Sequence, residues 1–191
     1  MKLLEVEKKQ GHHPQCLAVL EAYFGQEPLM GVEIGTNAGD LTRTLLRDRP
    51  ISLLFTIDPW ESRPGEGYEA GHPQEYHNEQ EFVAKKKLDP YRGQVEIMKM
   101  TSDAAFLILS KLPHVEKIGF DFVWIDGHHE ESQVRRDINN YWNLVKPGGI
   151  LGGHDYKLVP DVTKVVEEFM AEKGLEFHTG GDFTWWTRKP F

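Results

Sequence analysis

Residues 30–39 read Met30-Gly-Val-Glu33-Ile34-Gly35-Thr36-Asn37-Ala38-Gly39, and Leu41–Arg49 (LTRTLLRDR) follows almost at once. A short apolar run thus ends in a glycine-bearing turn that opens onto an amphipathic segment closed by Pro50, which predicts a strand, a tight turn and a helix. Working outward, Ile51–Ile57 reads as a second strand ending at Asp58-Pro59, and Val95–Met100 as a third. Ala104–Leu112 is helical, with Ser102 or Asp103 as its cap. Phe120–Ile125 (FDFVWI) is apolar enough for a buried central strand ending at Asp126, and its Trp and Phe residues read as core. Ser132–Leu144 carries Val134, Ile138, Tyr141 and Trp142 at helical spacing. Lys146-Pro-Gly-Gly149 then turns the chain into Ile150-Leu151, followed by Gly-Gly-His154-Asp155. Val162–Glu172 is a helix closed by Gly174, and Leu175–His178 and Phe183–Thr187 predict an antiparallel hairpin.

Strands alternating with helices imply an α/β fold, a mostly parallel seven-stranded sheet with an antiparallel last strand and helices on both faces. The 191 residues suit a single domain, 1–191, with residues 1–29 as an N-terminal helical segment. Residues 61–90 stand apart as an insertion, irregular at first and then helical around Asn78–Leu88. Between residues 61 and 81 it holds six glutamates against one arginine, and we read it as an acidic cover over the site.

The formal net charge is −8. Phosphate backbones require a basic face, so nucleic acid is not the expected partner. No apolar run approaches the ~18 residues that span a bilayer, so no membrane association is expected. The N-terminal stretch MKLLEVEKKQGHH carries Glu and Lys where a secretion leader needs an apolar core, and Cys16 is the sole cysteine. A cytoplasmic location is therefore expected. Oligomeric state is not written in the sequence, and a homo-oligomer stays open.

Ligands of open α/β sheets bind beyond the carboxyl ends of the strands. There the glycines let the backbone approach a ligand, and the helix start offers free N–H groups. Asp58, ending the next strand, is placed to accept both hydroxyls of a ribose. A dinucleotide fingerprint would need glycines at positions 37 and 40, where Asn37 and Asp40 stand. Glu33 and Asp40 put acids where a pyrophosphate would lie, which favours a cationic ligand. S-adenosyl-L-methionine carries a sulfonium and an ammonium.

With VEIGTNAG, TIDPW, SDAA, DFVWIDGHH and LVKPGGILGGHDY in this order, the sequence resembles the class I S-adenosylmethionine-dependent methyltransferases over residues 30–187. The resemblance implies a Rossmann-like fold. It also implies that Glu33, Gly35, Thr36, Asn37 and Gly39 hold the methionine end. By the same match Asp58 binds the ribose with Trp60 near the adenine, Ser102 and Asp103 line the adenine, and Asp126 faces the methionine end.

Asp126-Gly-His128-His129 and His154-Asp155 fall at two further strand ends, where acids and imidazoles suit a divalent cation or a general base. Locally they are similar to the metal-dependent sugar O-methyltransferases and the cephalosporin-hydroxylase-like family. That match makes Asp126 and Asp155 ligands of Mg²⁺ or Mn²⁺, with His154 standing where the family has an acid ligand. Either the metal differs to suit an imidazole, His154 does not bind it, or the site is metal-free. Imidazole is a poor ligand of Mg²⁺ but suits Mn²⁺, Fe²⁺ or Zn²⁺. His128 is assigned as general base, and His129 as its alternative or as an orienting group. The expected activity is methyl transfer to a hydroxyl of a sugar-like or natural-product-like small molecule. Its rivals are a metal-independent N- or O-methyltransferase, a nucleotide-dependent oxidoreductase and a non-catalytic binder of the methyl donor.

Overall fold

The computed structural model describes residues 14–62 and 72–191. Seven strands form one sheet in the order β3-β2-β1-β4-β5-β7-β6. They are β1 (Leu29–Ile34), β2 (Ile51–Ile57), β3 (Val95–Met98), β4 (Phe120–Ile125), β5 (Val145–Gly153), β6 (His178–Thr179) and β7 (Trp185–Arg188). Pairings among β1 to β5 are parallel, whereas β7 runs antiparallel to both β5 and β6. The fold expectation is met, including the closing hairpin. The first part of the N-terminal segment, residues 1–13, and residues 63–71 of the insertion lie outside the described residues.

The strands are apolar on both faces because helices cover both. On one face α1 (Pro14–Phe24), α2 (Asp40–Asp48) and α3 (Gln74–Leu88) bury Leu20, Leu45 and Leu88 with Leu54, Phe122 and Trp124 of the strands. On the other, α4 (Ser102–Leu109), α5 (Pro113–Lys117), α6 (Glu131–Leu144) and α7 (Pro160–Lys173) bury Ala105, Val115, Ile138 and Phe169 with Val32, Ile57 and Val123. The period of two assigns neighbours to opposite layers: Val32 and Ile34 join the second layer, while Glu33 between them is turned toward α2. Trp124, Trp185 and Trp186 are buried, as core residues should be.

Three local readings change. Thr101, not Ser102 or Asp103, caps α4, its hydroxyl accepting from the Ala104 N–H at 3.3 Å. Lys146–Gly149 lie within β5, where the pairing with β4 jumps from Phe120↔Val145 to Phe122↔Ile150. The turn signal there marks a bulge, which takes up the extra residues without ending the strand. The helix of the insertion starts at Gln74, a turn earlier than its polar composition indicated.

Candidate active site

At the carboxyl edge of the sheet the parallel ladder runs on past the strands. Gly35 N–H donates to Ile57 O, Asp126 N–H to Ile34 O and His154 N–H to Ile125 O, at 2.8, 2.8 and 3.1 Å. The first residues beyond β1, β4 and β5 are thereby held side by side. Gly35 has φ +95°, and a Cβ there would stand 1.8 Å from the Asp126 carbonyl oxygen. Only glycine allows β1 and β4 to leave the sheet in contact. Gly39, at φ +75°, starts α2 with no side-chain cap, which leaves the first-turn N–H groups of that helix open to a ligand.

The Asp58 carboxylate bridges two turns. It accepts the Asn37 N–H on Oδ2 and the Trp60 N–H on Oδ1, both at 2.8 Å. The Trp60 indole N–H donates to Asn37 O at 3.0 Å, so the β1–α2 and β2–α3 turns are stapled together. Thr36 joins this unit through its hydroxyl, 2.6 Å from that of Thr56.

Glu33 lies beneath the turn, buried, and accepts hydrogen bonds from the Thr42 and Thr56 hydroxyls. Burial pushes its carboxyl up to about 8, against the pull of those hydrogen bonds. Asp40 is paired with Lys87 Nζ at 2.6 Å. The negative charge that the sequence placed at this turn is therefore masked at neutral pH, by a proton on Glu33 and a lysine on Asp40.

Beyond β4 and β5, one ligand atom each from Asp126, His154 and Asp155 lies within 4.8 Å of the others. His154 Nδ1 stands 3.2 Å from Asp155 Oδ1 and 4.0 Å from Asp126 Oδ1, and His129 Nε2 stands 2.8 Å from Asp155 Oδ2. Asp155 reaches this position through a left-handed backbone, φ +64°. Burial raises the Asp126 carboxyl well above the usual carboxylate range, with the His154 imidazole acting the other way. Burial acts likewise on Asp155, but hydrogen bonding to His129 and His154 outweighs it and holds that carboxyl well below the usual range. For His154, burial opposes protonation, yet the Asp155 hydrogen bond and the Asp126 charge raise its pKa overall. His128 Nδ1 accepts the Glu130 backbone N–H at 3.3 Å.

A cavity of about 250 Å³ gathers the β1–α2 turn, Glu33, Asp58, Trp60, Ser102, Asp126, His128 and His129. A family model described as "Methyltransferase domain" matches residues 32–156, from within β1 to just past the His154-Asp155 pair. The chain belongs to this methyltransferase family. It is a class I S-adenosylmethionine-dependent methyltransferase. An uncharacterized protein of Acanthamoeba polyphaga mimivirus is 31% identical to it over 173 residues, covering 84% of this chain and 70% of that one. Among solved structures, a precorrin-6y C5,15-methyltransferase from Geobacter metallireducens superposes with TM-score 0.64 at 14% identity, over 100% of this chain and 94% of that one. An O-methyltransferase from Bacillus cereus in complex with SAH gives 0.63 at 15%, over 91% and 78%. At such identities these structures speak for the fold.

Most residues predicted for this methyltransferase site converge, but not all meet in the cavity. Asp103 is turned aside, its side chain 43% exposed and its Oδ2 3.4 Å from Arg136 Nε. It is not among the cavity-lining residues, and neither is Gly39, which faces Ala84 of α3, nor are His154 and Asp155, which contact Asp126 and His129. Conversely, Gln133 and Asp137 of α6 line the cavity beside Ser102, and His72, Tyr76 and His77 line it at the start of α3. His72, Tyr76 and His77 fall within the 61–90 segment expected to cover the site, but none of the five carries an individual mark of function in a motif. For Asp137 a signal existed, since with Val134, Ile138 and Tyr141 it occupies the i, i+3, i+4, i+7 stripe that faces the core.

Proposed function

We propose that this methyltransferase moves the methyl group of S-adenosyl-L-methionine to a hydroxyl of a small molecule, with a divalent cation held by Asp126, His154 and Asp155. The observation that carries this reading is the convergence of those three side chains next to the cavity, with Asp126 lining it. Two carboxylates and one imidazole are a donor set for Mn²⁺ more than for Mg²⁺. They fit in a second respect: a cation there would return the buried Asp126 to its ionised form. When bound, such an ion supplies positive charge that lowers the pKa of a hydroxyl at its open positions.

The chain's own groups do the rest. Asp58 has oxygen lone pairs to offer the ribose hydroxyls in addition to the two backbone N–H groups it accepts. The backbone of Gly35, Thr36 and Asn37 forms the cradle over which the methionine end lies, above Glu33. Trp60 and Ser102 border the nucleoside. As the bond from methyl carbon to acceptor oxygen forms, the bond to sulfur breaks, and the hydroxyl proton passes to an imidazole. His129 suits that role better than His128. The Glu130 N–H fixes the His128 Nδ1 lone pair and leaves its proton on Nε2, which makes that edge a donor. The acidic composition fits an uncharged or cationic acceptor.

Mn²⁺ titration of the protein, read by electron paramagnetic resonance, tests the metal site. One ion per chain is expected, with about tenfold or more weaker binding in Asp155→Asn. No binding by the wild type would remove the cation from the account. The 2.8 Å contact between His129 and Asp155 favours a second reading, a metal-free base oriented by a carboxylate. Methyl transfer that survives exhaustive chelation and is lost in His129→Gln would select it.

A further inference from the structure

Five non-glycine residues among those described have positive φ, and all follow or precede strand ends at the carboxyl edge of the parallel strands. Asn37 (φ +44°) and Trp60 (+47°) belong to the staple on Asp58. Asp155 (+64°), Lys157 (+67°) and Phe183 (+64°) lie at the other end of that edge. A left-handed backbone is costly for a bulky side chain and persists where the surrounding structure imposes it, as at ligand sites. Because β7 runs antiparallel to β5, with Trp185 opposite Gly153, the turn that enters β7 comes up beside the end of β5. Phe183 sits in that turn. Its carbonyl accepts the Tyr156 N–H at 2.9 Å, which ties the turn to the loop after β5. Its ring stands edge-on to the His154 imidazole, centroids 6.4 Å apart and planes at 84°.

Phe183 is nonetheless 43% exposed, and Leu158, whose N–H donates to Asp155 O at 3.1 Å, is 54% exposed. Polar side chains of the same loop and of α7 are engaged elsewhere. Lys157 Nζ lies 5.5 Å from the Tyr156 ring centroid, Tyr156 Oη donates to Glu167 at 2.9 Å, and Asp161 accepts the Glu131 N–H at 3.1 Å. Next to a proposed cation ligand the chain thus holds out two hydrocarbon side chains, one of them on a strained backbone. Strand order gives their place. Asp58 and Ser102 follow β2 and β3, Asp126 follows β4, and this rim borders β5 and β7, across the cation site from the nucleoside. An acceptor with its hydroxyl on that cation reaches Phe183 over about the width of one six-membered ring.

We infer that Phe183, with Leu158, selects the acceptor, and that the acceptor carries its hydroxyl on a flat apolar ring, a phenol rather than a sugar. This rests on the proposed hydroxyl held at the cation. A sugar brings further hydroxyls that each need a hydrogen-bond partner, which two hydrocarbon side chains do not supply. A phenol ring lays an apolar face against them.

The test titrates 4-nitrocatechol, read by its visible absorption, and methyl β-D-glucopyranoside, read by calorimetry, into protein loaded with Mn²⁺ and S-adenosylhomocysteine. The wild type is expected to bind the phenol about tenfold or more tightly than the glucoside. Phe183→Asn removes the ring with a residue that tolerates the left-handed backbone, so the fold is not put at risk. It should weaken 4-nitrocatechol about five- to tenfold, with unchanged affinity for Mn²⁺ and an equal or higher melting temperature. Leu158→Ala should weaken it about threefold. Chelation of the ion alone would leave the phenol bound as tightly in Phe183→Asn as in the wild type, and that result overturns the inference. So does a wild type that binds the glucoside as well as the phenol. If the wild type takes up no Mn²⁺, by electron paramagnetic resonance, the cation reading falls and the inference with it. Mn²⁺ uptake without preference for the phenol strikes the inference alone.

Discussion

Gly35 and Glu33 show how single residues set the conditions of the site. A Cβ at Gly35 would lie 1.8 Å from the Asp126 carbonyl, at a φ of +95° that side chains avoid. Gly35→Ala must therefore push β1 away from β4. We expect a loss of about 3 kcal/mol or more in thermal unfolding, together with loss of S-adenosylhomocysteine binding. Unchanged melting would contradict the close approach. Glu33 is held protonated by burial, with its folded pKa near 8 against an ordinary 4.5. The folded state binds that proton more tightly, so the associated stability is complete below pH 4.5 and is lost as the pH rises through 8. Glu33→Gln should melt with the wild type at pH 5 and several degrees above it at pH 8.5. A difference independent of pH would show that Glu33 does not carry the proton. At this scale the sequence was legible where a residue type has one reason to be there, as with Gly35 or the strand-ending Asp58. Asp137 was not read, because an acid on an amphipathic helix is by default assigned to the wet face. Only its place within the apolar stripe of α6 marks it as buried.

Elements carry the site by where they end. The described ends of the β2–α3 connection are tied to one another: Gln74 accepts the Ser62 N–H at 2.9 Å and donates to Trp60 O at 2.8 Å, and Ser62 Oγ donates to His72 O at 2.9 Å. Trp60 and His72 both line the cavity. Gln74→Ala removes two of these three hydrogen bonds, and we expect weaker binding of S-adenosylhomocysteine, about three- to tenfold, with little change in melting temperature. Equal affinity would mean that the clasp does not shape the site. Strand positions were readable from the sequence because runs such as ISLLFTI and FDFVWI are apolar over a length that fits a strand covered on both faces. Element boundaries were less so. The Pro-Gly-Gly within β5 has the composition of a turn, yet β4 holds it in the sheet through a shift of register. Thr101 took the cap of α4 because its hydroxyl, one position before the first helical residue, is the one that reaches the open Ala104 N–H.

The whole molecule joins these parts through strand order. With β1 and β4 central, the turn after β1 meets the ends of β2 and β4, and the end of β5 adds His154 and Asp155 at the far side of Asp126. The places proposed for nucleoside and acceptor chemistry thus lie along one edge, from β3 to β5. The order of motifs in the sequence disclosed this layout, since each acid or histidine follows a recognisable strand. Which side chains then face the cavity depends on packing between layers. That is why Asp103 turns to Arg136 and His154 stands behind Asp126. Strand order also predicts that Mn²⁺ and S-adenosylhomocysteine occupy adjoining places. The central claim is tested most directly by a crystal structure soaked with both, using the anomalous signal of manganese to locate the ion. The account predicts a single peak bounded by Asp126, His154 and Asp155, with the ribose hydroxyls on Asp58. A nucleoside bound away from Asp58, or an ion bound without those three residues, would contradict it.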